Sequence, residues 1–392
     1  MLRYMTAGES HGKGLVIIID GVPSGIKFDE ASINPILADR QKGYGRGGRQ
    51  KIETDTAEII SGVRFGKTTG APVSVMIKNS DFENWKKILS VSAINGAITE
   101  FNVPRPGHAD LAGGIKYSHH DFRNVLERAS ARETAARVVA GACGKAILRE
   151  IGVDVFGYVI NIAGVLTDED THIGLDAVRK KINALDKKYG AHLRFPGENE
   201  IPVIIRKIKA AIEEGETLGG VVKVVTSALP VGLGDYTQWD KKLDANIARS
   251  LMSIQAIKGV EFGLGFACAG TPGSKVHDPI YYGAKKGFYR VSNNAGGIEG
   301  GMTNGEPVIV KAAMKPISTV RKGIASVNAK TKKQVKTVYE RSDICAVPAA
   351  AVVAEAAVAF ELANAALAKF GGDTAAEFRL NCANHAKYVK KF

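Results

Sequence analysis

In PRPGHAD, residues 104–110, a histidine follows a proline–glycine bend, with Arg105 before it and Asp110 after it. An imidazole titrates near neutrality, so His108 can give or take a proton at cellular pH, while Pro104, Pro106 and Gly107 restrict the backbone around it. A surface turn whose histidine has no task has the same local sequence. GESHG, residues 8–12, holds a second histidine between glycines that let a ligand approach the backbone closely. Ser10 and His11 suggest a hydrolase nucleophile and base. Adjacent residues seldom meet in that geometry, however, and a nucleophile elbow follows a buried strand. Asp343, in YERSDICAVPA (339–349), precedes an alanine-rich helix and reads either as its cap or as a base kept ionised by nearby cations.

Other stretches are suited to anions. KPISTVRKG (315–323) offers Lys315, Ser318, Thr319, Arg321 and Lys322, a set that binds phosphate through charge and hydroxyls together. In RNVLERASARETAARV (123–138), helical spacing puts Arg128 with Arg132 and Glu133 with Arg137. Ion pairing on a surface helix explains much of this, and a site reading requires Arg128 and Ser130 to face a ligand. GYGRGG matches a dinucleotide-binding GxGxxG at Gly43, Gly45 and Gly48, but no buried strand precedes it and a poor crossover helix follows. These glycines are read as a mobile loop whose Arg40, Arg46 and Arg49 close over an anion. The long glycine- and amide-rich loop SNNAGGIEGGMTNGE (292–306) is a further candidate.

The elements that must position these residues belong to a chain of 392 residues, 45% hydrophobic and 24% charged, long enough for a large core in one domain or two. The formal net charge of +13 favours anionic partners: a solvated basic face, nucleic acid or phosphorylated ligands. No helix with a continuous basic stripe and no helix-turn-helix or zinc-finger spacing accompanies it. Cys143, Cys268, Cys345 and Cys382 are too scattered for a metal cage or disulfide framework, which fits a reducing cytoplasm. The first residues lack the pattern of a signal peptide, and the apolar stretch 346–370 is mostly alanine with Glu355 and Glu361, so a buried helix is expected rather than a membrane span.

Apolar patterning predicts strands at 15–20, 72–79, 153–165, 221–229, 261–269 and 308–314, and helices at 122–150, 174–189, 203–214, 240–255 and 348–370. They do not alternate in a βαβ rhythm. An α+β fold with antiparallel sheets is therefore expected, without a linker that would split the chain.

GESHG, GYGRGGRQKIE, RPGHAD, RNVLERASARETAARV, SIQAIKGVEFG, NNAGGIEGGMTNGEP, KPISTV and ERSDICAVPA follow one another between residues 8 and 349. In this order they resemble the chorismate synthase family over essentially the whole chain. The resemblance implies one α+β domain over 1–392, with helices sandwiched between antiparallel sheets, in a cytoplasmic homotetramer. It implies a carbon–oxygen lyase that removes phosphate from 5-enolpyruvylshikimate 3-phosphate by 1,4-elimination, giving chorismate at the end of the shikimate route to the aromatic amino acids. Reduced FMN is required without net oxidation. By resemblance, His11 assists the departing phosphate, His108 sets the protonation of the reduced flavin, and Asp343 is the terminal proton acceptor. The family's FMN contacts map onto Arg128, Ala129, Ser130, Gln255, Ala256, Gly300, Lys315, Pro316, Ile317, Ser318, Thr319 and Arg341. Substrate or NADPH contacts fall to Ser10, Arg40, Arg46, Arg49, Arg105 and Arg132; no metal is implied. Asp39 and Gln50 depart from the arginine and methionine common in the family, which touches only that loop's contacts. An outside flavin reductase is expected, since no extra domain is visible. The rival readings are an FMN-dependent NADPH oxidoreductase and a basic nucleic-acid-binding protein.

Overall fold

GLVIIID buries Leu15, Ile17 and Ile19 on alternate positions, and VSVMIK does the same with Val73, Val75 and Ile77. Period-two burial is what a half-covered strand requires. In the computed structural model, which describes residues 1–47, 54–94, 96, 98–167, 174–337 and 342–392, these segments are the antiparallel strands Gly14–Asp20 and Val73–Lys78. Arg3–Gly8 and Ala57–Ser61 flank them in a four-stranded antiparallel sheet. A second antiparallel sheet has the order Ile257–Phe262, Pro307–Met314, Gly220–Ala228, Val155–Ile162, Val165–Leu166.

Two helices fill the space between the sheets. Thr134–Arg149 packs on the strand Gly14–Asp20, Val347–Phe370 packs on Val155–Ile162 and Gly220–Ala228, and the helices pack on each other. Their small residues set the separation. A Cβ on Gly141 would lie 2.2 Å from that of Ala356, and one on Gly144 would lie 2.8 Å from the carbonyl oxygen of Ala359. The alanine content is thus a packing requirement, since a larger side chain at the crossing has nowhere to go. Among the described helices, only Val347–Phe370 is long and apolar enough to cross a membrane, and it is buried at the centre of the core. Its Glu355 is buried too, paired with Lys145 at 2.5 Å and Arg194 at 2.9 Å. The fold is α+β with helices between antiparallel sheets, as expected.

Several boundaries differ from the sequence expectation. The helix expected over 122–150 is three elements: Arg123–Ala129, a 3-10 turn Ala131–Glu133, and Thr134–Arg149. Ser130 breaks it by adopting extended backbone (φ −62°, ψ 141°) and accepting a hydrogen bond from the Arg132 N–H. A serine hydroxyl that bonds the local backbone competes with the helix in this way. The strand expected at 261–269 ends at Phe262 and passes into the 3-10 segment Gly265–Gly270, and the helix expected at 240–255 is Leu243–Met252. The strand Arg3–Gly8 and the helices Glu30–Gln41 and Ala375–Val389 were not expected.

Candidate active site

The unexpected first strand determines where GESHG goes. Residues 9–13 connect the antiparallel strands Arg3–Gly8 and Gly14–Asp20, so His11 sits in a tight connection at a sheet end rather than on a loose terminal segment. The connection is docked onto Glu127. The Glu127 carbonyl accepts from Ser10 N at 2.9 Å, and its carboxylate takes His11 N at 2.8 Å and His11 Nδ1 at 3.0 Å. The imidazole stacks on Trp85, with ring centroids 4.0 Å apart. This bonding gives His11 a carboxylate partner at Nδ1, which a serine-hydrolase base would also have. The serine in such a triad has to reach the ring's other nitrogen, and Ser10 is the adjacent residue.

PRPGHAD forms the second histidine's mount. Gly107 has φ +78°, and the turn leads into the helix Asp110–Tyr117, whose Asp110 is fully buried. Asp110 Oδ1 lies 2.5 Å from His108 Nδ1, and Oδ2 accepts from Arg105 Nε at 2.8 Å and from Arg105 N at 3.0 Å. Burial pushes the Asp110 carboxyl up, but the hydrogen bonds from His108 and Arg105 outweigh it and hold the group well below the usual carboxylate range. An ionised Asp110 accepts only, so Nδ1 of His108 carries hydrogen. Arg105 also reaches Thr319 Oγ1 at 3.2 Å, and Lys315 Nζ bonds the Gly107 carbonyl at 2.6 Å. Those two bonds join this loop to KPIST.

The arginines form a buried node. Arg40, in the last turn of Glu30–Gln41, reaches Thr134 Oγ1 at 2.9 Å, the Ala131 carbonyl at 2.9 Å and Asp55 at 3.5 Å. It is therefore fixed in a helix and buried, not carried on a mobile loop. Arg132 pairs with Asp55 and bonds Asn79 Oδ1 at 2.9 Å. Burial pulls Arg40 down to about 10, partly offset by Asp55 and deepened by Arg46 and Arg132, so it is still charged at neutral pH. Arg46 pairs with Asp343 at 2.7 Å, and Gly47 N donates to the other Asp343 oxygen at 2.7 Å. Asp343 is not a helix cap: Ala346 occupies that position, without a side-chain cap bond.

His11, His108, Arg40, Arg46, Arg105, Arg132 and Asp343 line one cavity of about 1010 Å³. It is at the upper limit of small-molecule pockets, roughly 300–1,000 Å³, and has room for more than one ligand. Of the expected residues, Ser10, His11, Arg40, Arg46, Arg105, His108, Ala129, Ser130, Arg132, Gln255, Ala256, Lys315, Ile317, Ser318, Thr319 and Asp343 all line it. Arg128, Pro316 and Gly300 do not. Arg128 is exposed and ties the first strand through Thr6 and Gly8, because the break at Ser130 turns it away from Arg132. Pro316 is exposed, and Gly300 sits in the turn between the short strands Ile298–Glu299 and Met302–Thr303. Arg49 and Arg341 lie outside the described residues. Two wall atoms are buried without a hydrogen-bond partner, Gln255 Oε1 and Arg46 Nε. An acceptor and a donor left unsatisfied in the wall of one cavity fit a polar ligand.

Glu127, Asp55, Asn79 and Trp85 were not singled out as site residues from the sequence. Asp55 and Asn79 meet Arg132 across separations of 77 and 53 residues, and no local pattern signals that. Burial pushes the thiols of Cys143 and Cys345 up to about 12 and about 11, so neither is a nucleophile at neutral pH.

Antiparallel sheets around a paired helix core enclose a cation-lined cavity served by two carboxylate-held histidines, an α+β architecture with a site suited to anionic ligands. Comparison with known proteins narrows this to one family: the family model for chorismate synthase matches residues 2–367. The chain is 52% identical to the chorismate synthase of Geobacter sulfurreducens, over the whole of both chains. It is 49% identical to that of Aquifex aeolicus, over 100% of this chain and 99% of the relative. A crystal structure of chorismate synthase superposes with a TM-score of 0.79 at 41% identity, covering 100% of this chain and 99% of that one. The chain belongs to the chorismate synthase family.

Proposed function

We propose that this chain is a carbon–oxygen lyase that eliminates phosphate from 5-enolpyruvylshikimate 3-phosphate to leave chorismate, in a cavity that also takes reduced FMN. The observation that carries the reading is the clustering of Arg40, Arg46, Arg105 and Arg132 with His11, His108 and Asp343 around about 1010 Å³. A substrate with two carboxylates and a phosphate, beside a cofactor with another phosphate, needs such fixed cations. Arg40, Arg105 and Arg132 are buried, so a nucleic-acid backbone could not reach them, which disfavours the nucleic-acid reading.

FMN fits the residues present. Lys315, Ser318 and Thr319 supply charge and hydroxyls for its phosphate, and the unsatisfied Gln255 Oε1 suits a heterocycle N–H. When bound, the reduced flavin supplies electron density to the substrate without net oxidation. The chain's own residues orient and move protons. The arginines hold the anionic substrate, His11 protonates the phosphate as its C–O bond breaks, and the bonding pair leaves with the phosphate. His108, held by Asp110, sets the protonation of the reduced cofactor. Asp343 is the terminal acceptor for the ring proton lost from the substrate.

The proposal extends to a single domain over 1–392, a cytoplasmic homotetramer and an outside flavin reductase, with Arg40 and Arg46 open to NADPH as well as substrate. The contiguous core that includes both sheets supports the single domain, and the exposed Tyr282, Phe288 and Phe392 give a second copy an apolar face to cover. The deciding experiment is stoichiometric. With excess substrate and catalytic FMN, an eliminase makes many chorismates per NADPH consumed, whereas an FMN-dependent oxidoreductase consumes one NADPH per product.

A further inference from the structure

We propose that Glu127 is the positioning residue for His11, fixing the ring with Nδ1 as hydrogen-bond donor so that Nε2 exchanges the proton with the substrate's phosphate. This rests on the elimination reading above. Glu127 is in the last turn of Arg123–Ala129, and its side chain is 2% exposed. It takes both the backbone N–H and the Nδ1 of His11, while its carbonyl takes Ser10 N. Asn79 secures the same connection from the sheet by donating to the carbonyls of Glu9 (3.1 Å) and Gly12 (2.8 Å). Trp85 covers one face of the ring and is itself held by an Nε1 bond to Asp81 at 3.1 Å.

The protonation follows from the partner. An ionised carboxylate has no hydrogen to give, so the Nδ1 it binds must carry one. In neutral His11 the lone pair is then on Nε2, and charging the ring puts the second proton there. Burial pushes the Glu127 carboxyl up, but the bond and charge of His11, the backbone N–H and Arg123 outweigh it and hold the group below its usual range. Charged groups at the ring and its supports include Glu127 and Arg123 from their helix and Asp81, which holds Trp85. Arg123 reaches Glu127 at 3.4 Å and lies over Trp85, so it braces both of the ring's supports. In the step assigned, the proton passes from Nε2 to a phosphate oxygen, the C–O bond breaks, and its electron pair departs with the phosphate. His11 ends neutral, with its proton on Nδ1 facing Glu127.

The test uses the full chain with Glu127→Gln and Glu127→Asp. Glu127→Gln should lower kcat about 100-fold with KM within about 3-fold and FMN affinity unchanged, the signature of a lost proton-transfer contribution. Because a general acid loses rate as pH rises through its pKa, the alkaline limb of the pH–rate profile should move to lower pH when the anion is removed. Glu127→Asp keeps the charge, so its limb should stay near the wild-type position while kcat falls; it also serves if the amide variant does not fold. Nitrogen NMR of histidine-labelled protein, with His11 assigned by His11→Asn, should show Nδ1–H in the wild type and a changed tautomer balance in Glu127→Gln. Wild-type kcat with an unmoved limb in Glu127→Gln, wild-type kcat in Glu127→Asp, or an Nε2–H tautomer in the wild type, would overturn the proposal. Absence of chorismate from the wild-type protein overturns the elimination reading and the proton role with it, while the NMR spectra still decide whether Glu127 fixes the ring.

Discussion

Replacing Asp110 by asparagine removes one charge and almost no volume, and the structure gives its cost. The carboxylate is fully buried; it takes the N–H and Nε of Arg105 on one oxygen, and Arg105 Nη2 and His108 Nδ1 on the other. An amide keeps one acceptor and points an NH₂ at groups that already donate. Arg105, whose side chain is 8% exposed, is left with a buried charge and no counter-ion. Breaking a buried pair by removing one partner costs about 3–5 kcal/mol, and the Thr319 bond that survives puts the expectation for Asp110→Asn near 3 kcal/mol. Urea unfolding at neutral pH measures it. The pH dependence has a definite sign. The folded pKa of Asp110 lies below the unfolded value of about 4, so its contribution is full above that value and is lost as pH falls toward the folded one. The stability gap between wild type and variant should hold from neutrality to about pH 5 and shrink below about pH 4. A neutral-pH gap under about 1 kcal/mol, as for an exposed pair, or a gap that does not shrink in acid, would refute the reasoning.

Three further outcomes are expected. His108→Ala should lower turnover by about 100-fold or more while FMN binding, followed by flavin fluorescence, stays near wild type. Lys315→Met should weaken FMN binding about 10-fold or more and loosen the His108 loop, since it removes both a cation and the Gly107 tether, and titration of the flavin reads the first effect. Gly141→Val should destabilise the fold by about 3 kcal/mol or more, because its Cβ would meet Ala356 at 2.2 Å; thermal unfolding with circular dichroism shows this.

Val347–Phe370 was legible in the sequence because a continuous alanine–valine run is punctuated by Pro348 and Gly371, signals that do not depend on the rest of the fold. The helix over 122–150 was not, because its composition favours helix throughout. What breaks it is Ser130 accepting from the Arg132 N–H while the Arg132 side chain turns inward to Asp55 and Asn79. The same break explains why Arg128, grouped with Arg132 by helical spacing, points to the first strand. Both histidines were legible from local glycine and proline context. Asp110 lies within the same heptapeptide as His108, but Glu127 reaches His11 across 116 residues through tertiary docking, which no short window contains.

Elimination of phosphate from the substrate on reduced flavin is the reaction proposed for this cavity. Its most direct test is anaerobic: purified protein, chemically reduced FMN and 5-enolpyruvylshikimate 3-phosphate, with chorismate and free phosphate followed together. Equal release of both, with the flavin still reduced at the end, is the predicted result. No chorismate despite bound flavin, or flavin oxidised in proportion to product, would contradict it.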